Sequence, residues 1–376
     1  MKKLAYAIIA LTVLAFSCTK SNIVDVPEAQ KTPIAFDTYN GRIPVTKASE
    51  ITQGNISSIQ VTGFHIPTGG SADYTKTYMN PTVTREKSGE TWGSWVYSPL
   101  SYWPASGTLE FVAHGTNTPR FEATDDKQTP SNGDLVPVNG SYVNFTYTVP
   151  EATADQQDLI AAYVAPTSTQ GTVSLNMKHL LSRIGFTLKT LGTGADVTIK
   201  AIELHGNFIN TGAVNLAAEI PAINTDDYVE NSDYTTNSYS LFASGEYFQT
   251  KEGDTATEGV EIFARYTSSG STESTNNSNR YLMVIPGEIT KAIDVDDTNN
   301  NQDTDDIVDP YIKVVYQLSG ATEQKAIIPF KKADGSNWIL TAGLAYEFVL
   351  TVSVAQIDFT GSVEPWDETT PETPIY

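Results

Sequence analysis

The chain has 376 residues, a formal net charge of −21 at pH 7 and 40% hydrophobic residues. That length suggests two domains or one large domain, and the apolar content supports a hydrophobic core. The excess of acidic residues repels the phosphates of nucleic acids and anionic lipid head groups, so the composition argues against a nucleic-acid partner.

The N-terminus has the pattern of a bacterial export signal. Lys2 and Lys3 precede an apolar run from Leu4 to Phe16 that is shorter than a typical transmembrane helix. The run ends at Ser17-Cys18, and Cys18 is the single cysteine of the chain. This arrangement resembles the lipobox of bacterial lipoproteins, so we expect residues 1–17 to be removed, Cys18 to be lipidated and its acyl chains to hold the protein at a membrane. The alternative is an ordinary signal peptide with an incidental cysteine.

Apolar residues at alternate positions predict an all-β protein. Such alternation is typical of half-buried strands. It occurs in four sets: Val143, Phe145, Tyr147 and Val149; Ile184, Phe186 and Leu188; Ile312, Val314, Tyr316 and Leu318; and Tyr346, Phe348, Leu350, Val352 and Val354. The dipeptide Asn139-Gly140 predicts a type I′ hairpin turn, and a short helical turn is predicted around Asn176–Ser182. Many short strands separated by turns favour β-sandwiches or barrels.

Polar, turn-rich stretches indicate where domains begin and end. Residues 18–32 include Pro27 and are predicted to form a tether, and residues 164–172, VAPTSTQGT, are the best candidate for a domain boundary. We therefore divide the chain into a signal peptide (1–17), a tether (18–32), an N-terminal domain (33–168) and a C-terminal domain (169–376).

Candidate metal and catalytic residues do not form a recognisable site. The acid-rich loop Asp294–Asp306 offers oxygen ligands for calcium, but it lacks the glycine and glutamate of an EF-hand, and a solvated loop is the alternative. The four histidines fall in separate segments without a second ligand at zinc spacing: His65, His114, His179 and His205. No nucleophile, zinc-protease or phosphate-loop motif is present. The sequence therefore predicts no enzyme, no catalytic residue, no metal and no other cofactor.

Two further motifs each allow two interpretations. Trp92, Trp95, Tyr97, Tyr102 and Trp103 form an aromatic-dense run that fits either a sugar-binding platform or core packing, and we favour the core. The tripeptide Asp254-Thr255-Ala256 resembles the acceptor of O-linked glycans in Bacteroidetes.

Taken in order, the motifs resemble the fimbrillin family of Bacteroidetes type V pili. After Cys18 they comprise Pro33-Ile34-Ala35-Phe36, VTKAS around Lys47, YSPLSYWPASGTLEFVAHGT at 97–116, QQDLIAAYV at 156–164, MKHLLSRIGFTLKT at 177–190, RYLMVIPG at 280–287 and YEFVLTVSVAQIDFTGSVEPWDE at 346–368. The resemblance implies two transthyretin-like β-sandwich domains and no catalysis. It also implies an outer-membrane lipoprotein at the cell surface that becomes part of a fimbria and serves cell adhesion.

The resemblance further implies maturation by a trypsin-like protease. Cleavage after a basic residue would free the first strand, which carries Ile34 and Phe36, and a strand from another subunit would fill the resulting groove. Lys47, which precedes Ala48, is the expected processing residue, and Arg42 is the second candidate. The family typically has arginine before alanine at this site, so Lys47 is a departure.

The last apolar segment changes the parity of its alternation. Apolar positions are even from Tyr346 to Val354 and odd afterwards, at Ile357, Phe359 and Val363. Because the side-chain period of a strand is two, this change predicts a bulge or a break at Ala355-Gln356. A break would make Ile357, Phe359 and Val363 a candidate donor strand for a neighbour, whereas a bulge would keep them in their own domain.

Two functions remain open at this point. The first is a structural, accessory or tip subunit of a type V fimbria, with other fimbrial subunits as partners. The second is a surface lipoprotein that binds glycan or host protein without polymerising. A shielded C-terminus and an uncut Lys47 would favour the second.

Overall fold

The computed structural model describes residues 32–39, 56–89, 91–115, 135–150, 152–168, 171–191, 196–224, 237–251, 254, 258–267, 281–290, 292–293, 307–319, 321–353 and 357–365. Within these ranges the protein is all-β, as predicted, and the one helical element is a 3₁₀ turn at Thr153–Asp155.

The first eleven strands lie before residue 180. They are β1 (Ala35–Tyr39), β2 (Ser58–Ile66), β3 (Thr82–Thr84), β4 (Lys87–Ser88), β5 (Thr91–Trp92), β6 (Thr108–Gly115), β7 (Leu135–Pro137), β8 (Asn144–Thr148), β9 (Ile160–Thr167), β10 (Thr172–Asn176) and β11 (Lys178–His179).

The remaining seventeen strands extend to residue 365. They are β12 (Ser182–Leu191), β13 (Val197–Gly206), β14 (Thr211–Asn215), β15 (Ala222–Asn224), β16 (Asn237–Ser240), β17 (Glu246–Gln249), β18 (Val260–Glu261), β19 (Tyr266–Thr267), β20 (Tyr281–Val284), β21 (Gly287–Glu288), β22 (Ala292–Ile293), β23 (Ile307–Val308), β24 (Tyr311–Leu318), β25 (Gln324–Pro329), β26 (Ile339–Leu340), β27 (Leu344–Ser353) and β28 (Ile357–Pro365).

Four larger sheets organise the described strands. Sheet 1 has the order β11-β9-β6-β2-β3, and sheet 2 has the order β15-β14-β8-β7. Sheet 3 has the order β18-β12-β27-β28, with β20 also on β12, and sheet 4 has the order β19-β17-β13-β24-β25, with β16 also on β13. Strand β1 belongs to none of these sheets and pairs in parallel with β10.

Two clusters of buried apolar residues form the core. The larger cluster joins sheets 2, 3 and 4 through residues such as Phe145, Phe186 and Ile202, and it reaches sheet 1 at Phe64 and Val112. The smaller cluster lies between sheet 1 and the β1–β10 pair. Its members include Ile34, Phe36, Val61, Phe111, Val173 and Leu175. Sheet 1 therefore contributes side chains to both cores, and β1 helps to close the smaller one.

Most of the alternating sets are buried as predicted. Within the four sets, Leu318 is only half-buried, Val354 lies outside the described residues, and the other members are buried. Asn139 and Gly140 have φ values of 53° and 67°, and the Ser141 N–H donates to the Val138 carbonyl at 3.0 Å. Both positive φ values fit the predicted type I′ turn, which connects β7 and β8.

The helical turn predicted around Asn176–Ser182 is wrong. The chain there forms β10, β11 and the start of β12, and Lys178 and His179 pair with Ala161 and Ile160 of β9. Pairing with β9 fixes an extended backbone despite the local spacing of apolar residues.

The pairings connect regions on either side of the proposed boundary at residue 168. β10 and β11 pair with β1 and β9, while β7 and β8 join β14 and β15 in sheet 2. The division into two domains at this position stays a prediction. Among the described residues, no helix has the length and apolar character needed to cross a membrane.

Candidate functional site

Strand β1 occupies a slot that contacts its backbone on both edges. On one edge, residues 35–39 pair in parallel with residues 172–176 of β10. At the start of the other edge, the Ile34 N–H donates to the Ser101 carbonyl at 2.9 Å, and the Trp103 N–H donates to the Thr32 carbonyl at 3.1 Å. We call the space between β10 and residues 101–103 the leading-strand slot.

Alternate side chains of β1 point into the smaller core. Ile34, Phe36 and Thr38 are 1%, 6% and 5% exposed, whereas Ala35 and Asp37 are exposed. This is the half-buried pattern expected of the leading strand, because successive side chains of a strand point to opposite faces.

Aromatic residues form the floor of the slot. The Phe36 ring lies 5.7 Å from the rings of both Phe111 and Tyr97, and Trp103 packs edge-on against Phe111 at 6.0 Å. The Tyr97 hydroxyl donates to the Ile34 carbonyl at 2.8 Å. Burial raises the pKa of Tyr97, so its hydroxyl remains a donor. The slot is therefore adapted to an extended peptide with apolar side chains two residues apart.

A buried arginine lies close to both ends of residues 40–55. The Arg85 Nε donates to the Ile56 carbonyl at 2.9 Å, and its guanidinium stacks on Trp92 and Trp95 at 4.4 and 4.6 Å from the ring centroids. Burial lowers the pKa of Arg85, and the carboxylate of Asp37 in β1 opposes that change. Arg85 thus contacts Ile56 after the segment directly, and its charge attracts the carboxylate of Asp37 before the segment.

Several predicted site residues lie outside the described residues. These are Cys18, the expected lipidation site, and both candidate processing residues, Arg42 and Lys47. Arg42 and Lys47 belong to the segment that connects β1 to Ile56.

The candidate donor strand is β28, which pairs antiparallel with β27 at the edge of sheet 3. The register sets Val352 opposite Ile357, Leu350 opposite Phe359 and Tyr346 opposite Val363. Each pair joins an even position to an odd one, and paired residues share a face of the sheet. The parity change therefore comes from a reversal of chain direction between β27 and β28, which is a break in the strand and not a bulge within it.

The described part of β28 is exposed to solvent. Val363 is 42% exposed, and Thr360, Gly361 and Ser362 are also exposed; the side chains of Ile357 and Phe359 lie outside the described residues. A Cβ at Gly361 would lie 2.6 Å from a ring carbon of Phe348, so glycine allows β28 to approach the core closely at this point. In this structure β28 is paired within its own chain.

The aromatic run divides between core and surface. Trp103 is buried, and Trp95 and Tyr97 pack against the smaller core, which agrees with the interpretation we favoured. Tyr102 is 38% exposed, and its carbonyl accepts a hydrogen bond from the Tyr78 hydroxyl at 2.5 Å.

The histidines have separate surroundings, and two contact carboxylates. His179 Nδ1 lies 2.8 Å from Asp158 in a buried pair, and His205 Nε2 lies 3.0 Å from Glu203. The contact with His205, together with a hydrogen bond from Lys313, lowers the pKa of Glu203 to about 2. In the part of the chain that the structure describes, no group of three or more histidine, cysteine, aspartate and glutamate residues could hold a metal ion.

Two remaining motifs lie wholly or partly outside the described residues. The loop Asp294–Asp306 lies outside the described residues, as do Thr255 and Ala256 of the glycan-acceptor motif. Asp254 pairs with Arg265 at 2.6 Å, and its carboxylate accepts a hydrogen bond from the Lys251 N–H.

Sequence reasoning missed the role of Arg85 and both backbone partners of β1 in the slot, which are residues 101–103 and β10. An arginine shortly before Trp92 and Trp95 was a weak available signal. No local sequence signal indicated the pairing of β1 with β10, because it joins residues about 137 positions apart.

Comparisons with solved structures find several chains that are similar to this one. A fimbrial protein from Bacteroides vulgatus has a TM-score of 0.50 and 15% sequence identity, over 89% of this chain and 99% of that chain. For a candidate cell adhesion protein from Bacteroides uniformis, the TM-score is 0.46 and the identity 15%, over 89% and 99% of the two chains. For the tip fimbrial protein Mfa3 from Porphyromonas gingivalis, the TM-score is 0.40 and the sequence identity 11%, over 85% of this chain and 97% of that chain. No curated protein sequence matches this chain.

A family model settles the membership. The model described as Fimbrillin-like matches residues 46–366, which is most of the chain and ends one residue after β28. The match begins beside Lys47, so β1 precedes it. This chain therefore belongs to the fimbrillin-like family.

Proposed function

We propose that this protein is a structural, accessory or tip subunit of a fimbria at the cell surface, where it serves cell adhesion. It is exported as an outer-membrane lipoprotein, matured by a trypsin-like protease and polymerised by donor-strand exchange with other fimbrial subunits. The proposal includes no catalysis, cofactor or nucleic-acid partner.

The position and packing of β1 are the main support for this proposal. β1 is a separate strand that closes the smaller core through Ile34 and Phe36 and lies just before the segment that contains Arg42 and Lys47. Replacing β1 with a strand from another subunit would leave the core filled and the backbone of β10 paired. An exchange of this kind provides affinity through backbone hydrogen bonds and specificity through alternate side chains.

The mature N-terminus tests the proposal directly. Mass spectrometry of the protein from native cells should identify acyl chains on Cys18 in the precursor and a start at Ala48 in filaments. A filament subunit that retains residues 18–47 would contradict the proposed maturation.

Cys18→Ala is expected to abolish acylation and membrane retention. Without the acyl chains, the acidic surface offers no attraction to anionic lipids. Fractionation of cells followed by immunoblotting measures the retained amount, with Ser21→Ala as the matched control in the same tether. Normal retention of the Cys18→Ala protein would show that another feature anchors it.

Lys47→Ala is expected to leave folded precursor that does not polymerise, and Arg42→Ala should have a smaller effect. A trypsin-like protease requires a basic side chain before the cleaved bond, and Pro44 two residues after Arg42 makes that bond the less suitable one. Filament yield and subunit mass are the measurements, and Lys31→Ala is the control for loss of a nearby positive charge. Normal filaments from a Lys47→Ala, Arg42→Ala double variant would rule out this route.

The pairing of β28 with β27 favours a second candidate, a surface lipoprotein that binds glycan or host protein without polymerising. In that case the C-terminal strand stays in its own sheet and Lys47 remains uncut. A tip subunit, which needs to accept a strand but not to donate one, is compatible with the same pairing.

A further inference from the structure

We propose that the leading-strand slot is a peptide-binding site that keeps β1 bound after the chain is cut between residues 40 and 55. On this view cleavage alone does not open the groove, and an incoming strand from a second copy must displace β1. The inference rests on the proposed maturation and adds an intermediate to it, a clipped subunit that still carries its leading strand.

The backbone contacts of β1 do not depend on the residues that would be cut. The parallel pairing with β10 uses residues 35–39, and the hydrogen bonds to Ser101 and Trp103 use Ile34 and Thr32. All of these contacts lie N-terminal to the segment 40–55. Hydrolysis of a bond in that segment removes the covalent connection but leaves both edges of β1 paired.

The side-chain contacts also persist after a cut. Ile34 and Phe36 are buried in the smaller core, where Phe36 contacts Phe111 and Tyr97. Spontaneous departure of β1 would expose these side chains and the floor of the slot to water. Because burial of each large apolar side chain slows dissociation by roughly tenfold or more, we expect the clipped strand to stay in place for long periods.

Arg85 contacts the chain on the C-terminal side of the segment that would be cut. Its Nε is bonded to the Ile56 carbonyl, and its charge interacts with Asp37 of β1. Ile56 is itself buried, at 4% exposed. The residue that follows the cut segment is therefore anchored by Arg85, and the carboxylate of Asp37 on the other flank is attracted by the same charge.

One position of β1 fits the slot poorly. The Thr38 hydroxyl is buried and has no hydrogen-bond partner among the described residues. An unsatisfied buried hydroxyl favours exchange for a strand that lacks it. Ile357, Phe359 and Gly361 repeat the spacing of Ile34, Phe36 and Thr38, so a strand from a second copy in this register would place glycine where Thr38 lies.

Limited proteolysis of the purified full-length chain tests retention. After trypsin has cut between residues 40 and 55, gel filtration in native buffer should give one peak in which mass spectrometry finds both the N-terminal fragment and the body. If the fragment separates as fast as the bond is cut, this inference is overturned while the maturation stands. If no cut occurs in this segment, the proposed maturation fails and the inference fails with it.

Displacement is tested on the clipped complex with a synthetic peptide of residues 357–363. The rate at which the fragment leaves should rise with peptide concentration. A rate that is independent of peptide concentration would mean that β1 departs first, and would overturn displacement.

Two variants are expected to change the retention of the fragment in opposite directions, and a third is the control. Phe36→Ala should shorten retention of the fragment by about tenfold or more. Thr38→Val, which keeps the shape and removes the unpaired hydroxyl, should lengthen it by about tenfold. Ala35→Ser, at an exposed position of the same strand, is the control and should leave it unchanged. Equal retention in the wild type and Thr38→Val would contradict the poor fit at Thr38, even if Phe36→Ala failed to fold.

Discussion

A chain truncated after Gln356 is expected to fold and to be cleaved, but to cap filaments or fail to join them. The truncation removes β28 and with it the candidate donor residues Ile357, Phe359 and Val363. The leading-strand slot is unchanged, since none of its residues lies beyond 176. The truncated subunit can therefore still accept a strand, but it has none to donate.

The truncation should also lower stability without unfolding the protein. β27 keeps β12 on its other edge, where Ile184, Phe186 and Leu188 pair opposite Tyr346, Phe348 and Leu350. Loss of β28 uncovers part of Phe348, and exposure of a side chain of this size costs about 1.5–3 kcal/mol. The free energy of unfolding should therefore fall by an amount that a protein of this size tolerates.

A second truncation, after Trp366, is the matched control because it removes the C-terminal tail and leaves β28 intact. Filament length by electron microscopy and the unfolding midpoint by denaturant titration are measured for both chains. If the shorter chain unfolds as a monomer, β28 is required for the folding of its own sheet and the donor role is contradicted. If it polymerises like the control, the donor lies elsewhere and a tip or accessory role is favoured.

Local pattern predicted the strands better than it predicted their partners. Val143, Phe145 and Tyr147 are buried as their spacing indicates, because alternation depends only on which face of a strand meets the core. The type I′ turn at Asn139-Gly140 was predictable for a similar reason, since positive φ at two successive positions strongly favours these residue types.

Interactions between distant strands could not be read from the sequence. The slot brings together Ile34, Tyr97 and Ser101 through the packing of sheet 1 against β1 and β10. The parity change near Gln356 was a real signal, but the sequence left both a bulge and a break open. Only the register of β27 with β28 identifies it as a reversal of chain direction.

In the segment 176–182, by contrast, the local pattern predicted a helical turn that the structure does not contain. Met177, Leu180 and Leu181 have the spacing of one helical face, yet all three are buried beside extended backbone. Leu180 donates its N–H to the Leu159 carbonyl, so hydrogen bonds to the strand β9 region replace those of a helix. Tertiary pairing overrides a weak local preference in such short segments.

The stability of this protein should decrease between pH 6.5 and pH 4 because of one buried histidine. His114 lies on β6, opposite Gln60 and Ala161 in sheet 1, with its ring 6.3 Å from that of Phe145. Burial lowers the pKa of His114 from 6.5 to about 4, because the charged imidazolium is poorly solvated there. In the unfolded chain the same imidazole takes up a proton near pH 6.5.

The sign of the effect follows from that difference. Above pH 6.5 His114 is neutral in both states and its contribution to stability is fully present. As the pH falls towards 4, the unfolded chain binds a proton that the folded protein does not, and a shift of this size corresponds to about 3 kcal/mol. Denaturant titrations at pH 7.5, 6, 5 and 4 should therefore give a steeper decline for the wild type than for His114→Gln. His65→Gln, at a less buried histidine of the same sheet, controls for loss of an imidazole. An equally steep decline in His114→Gln would assign the acid sensitivity to other groups, with the buried Asp158–His179 pair as the next to test.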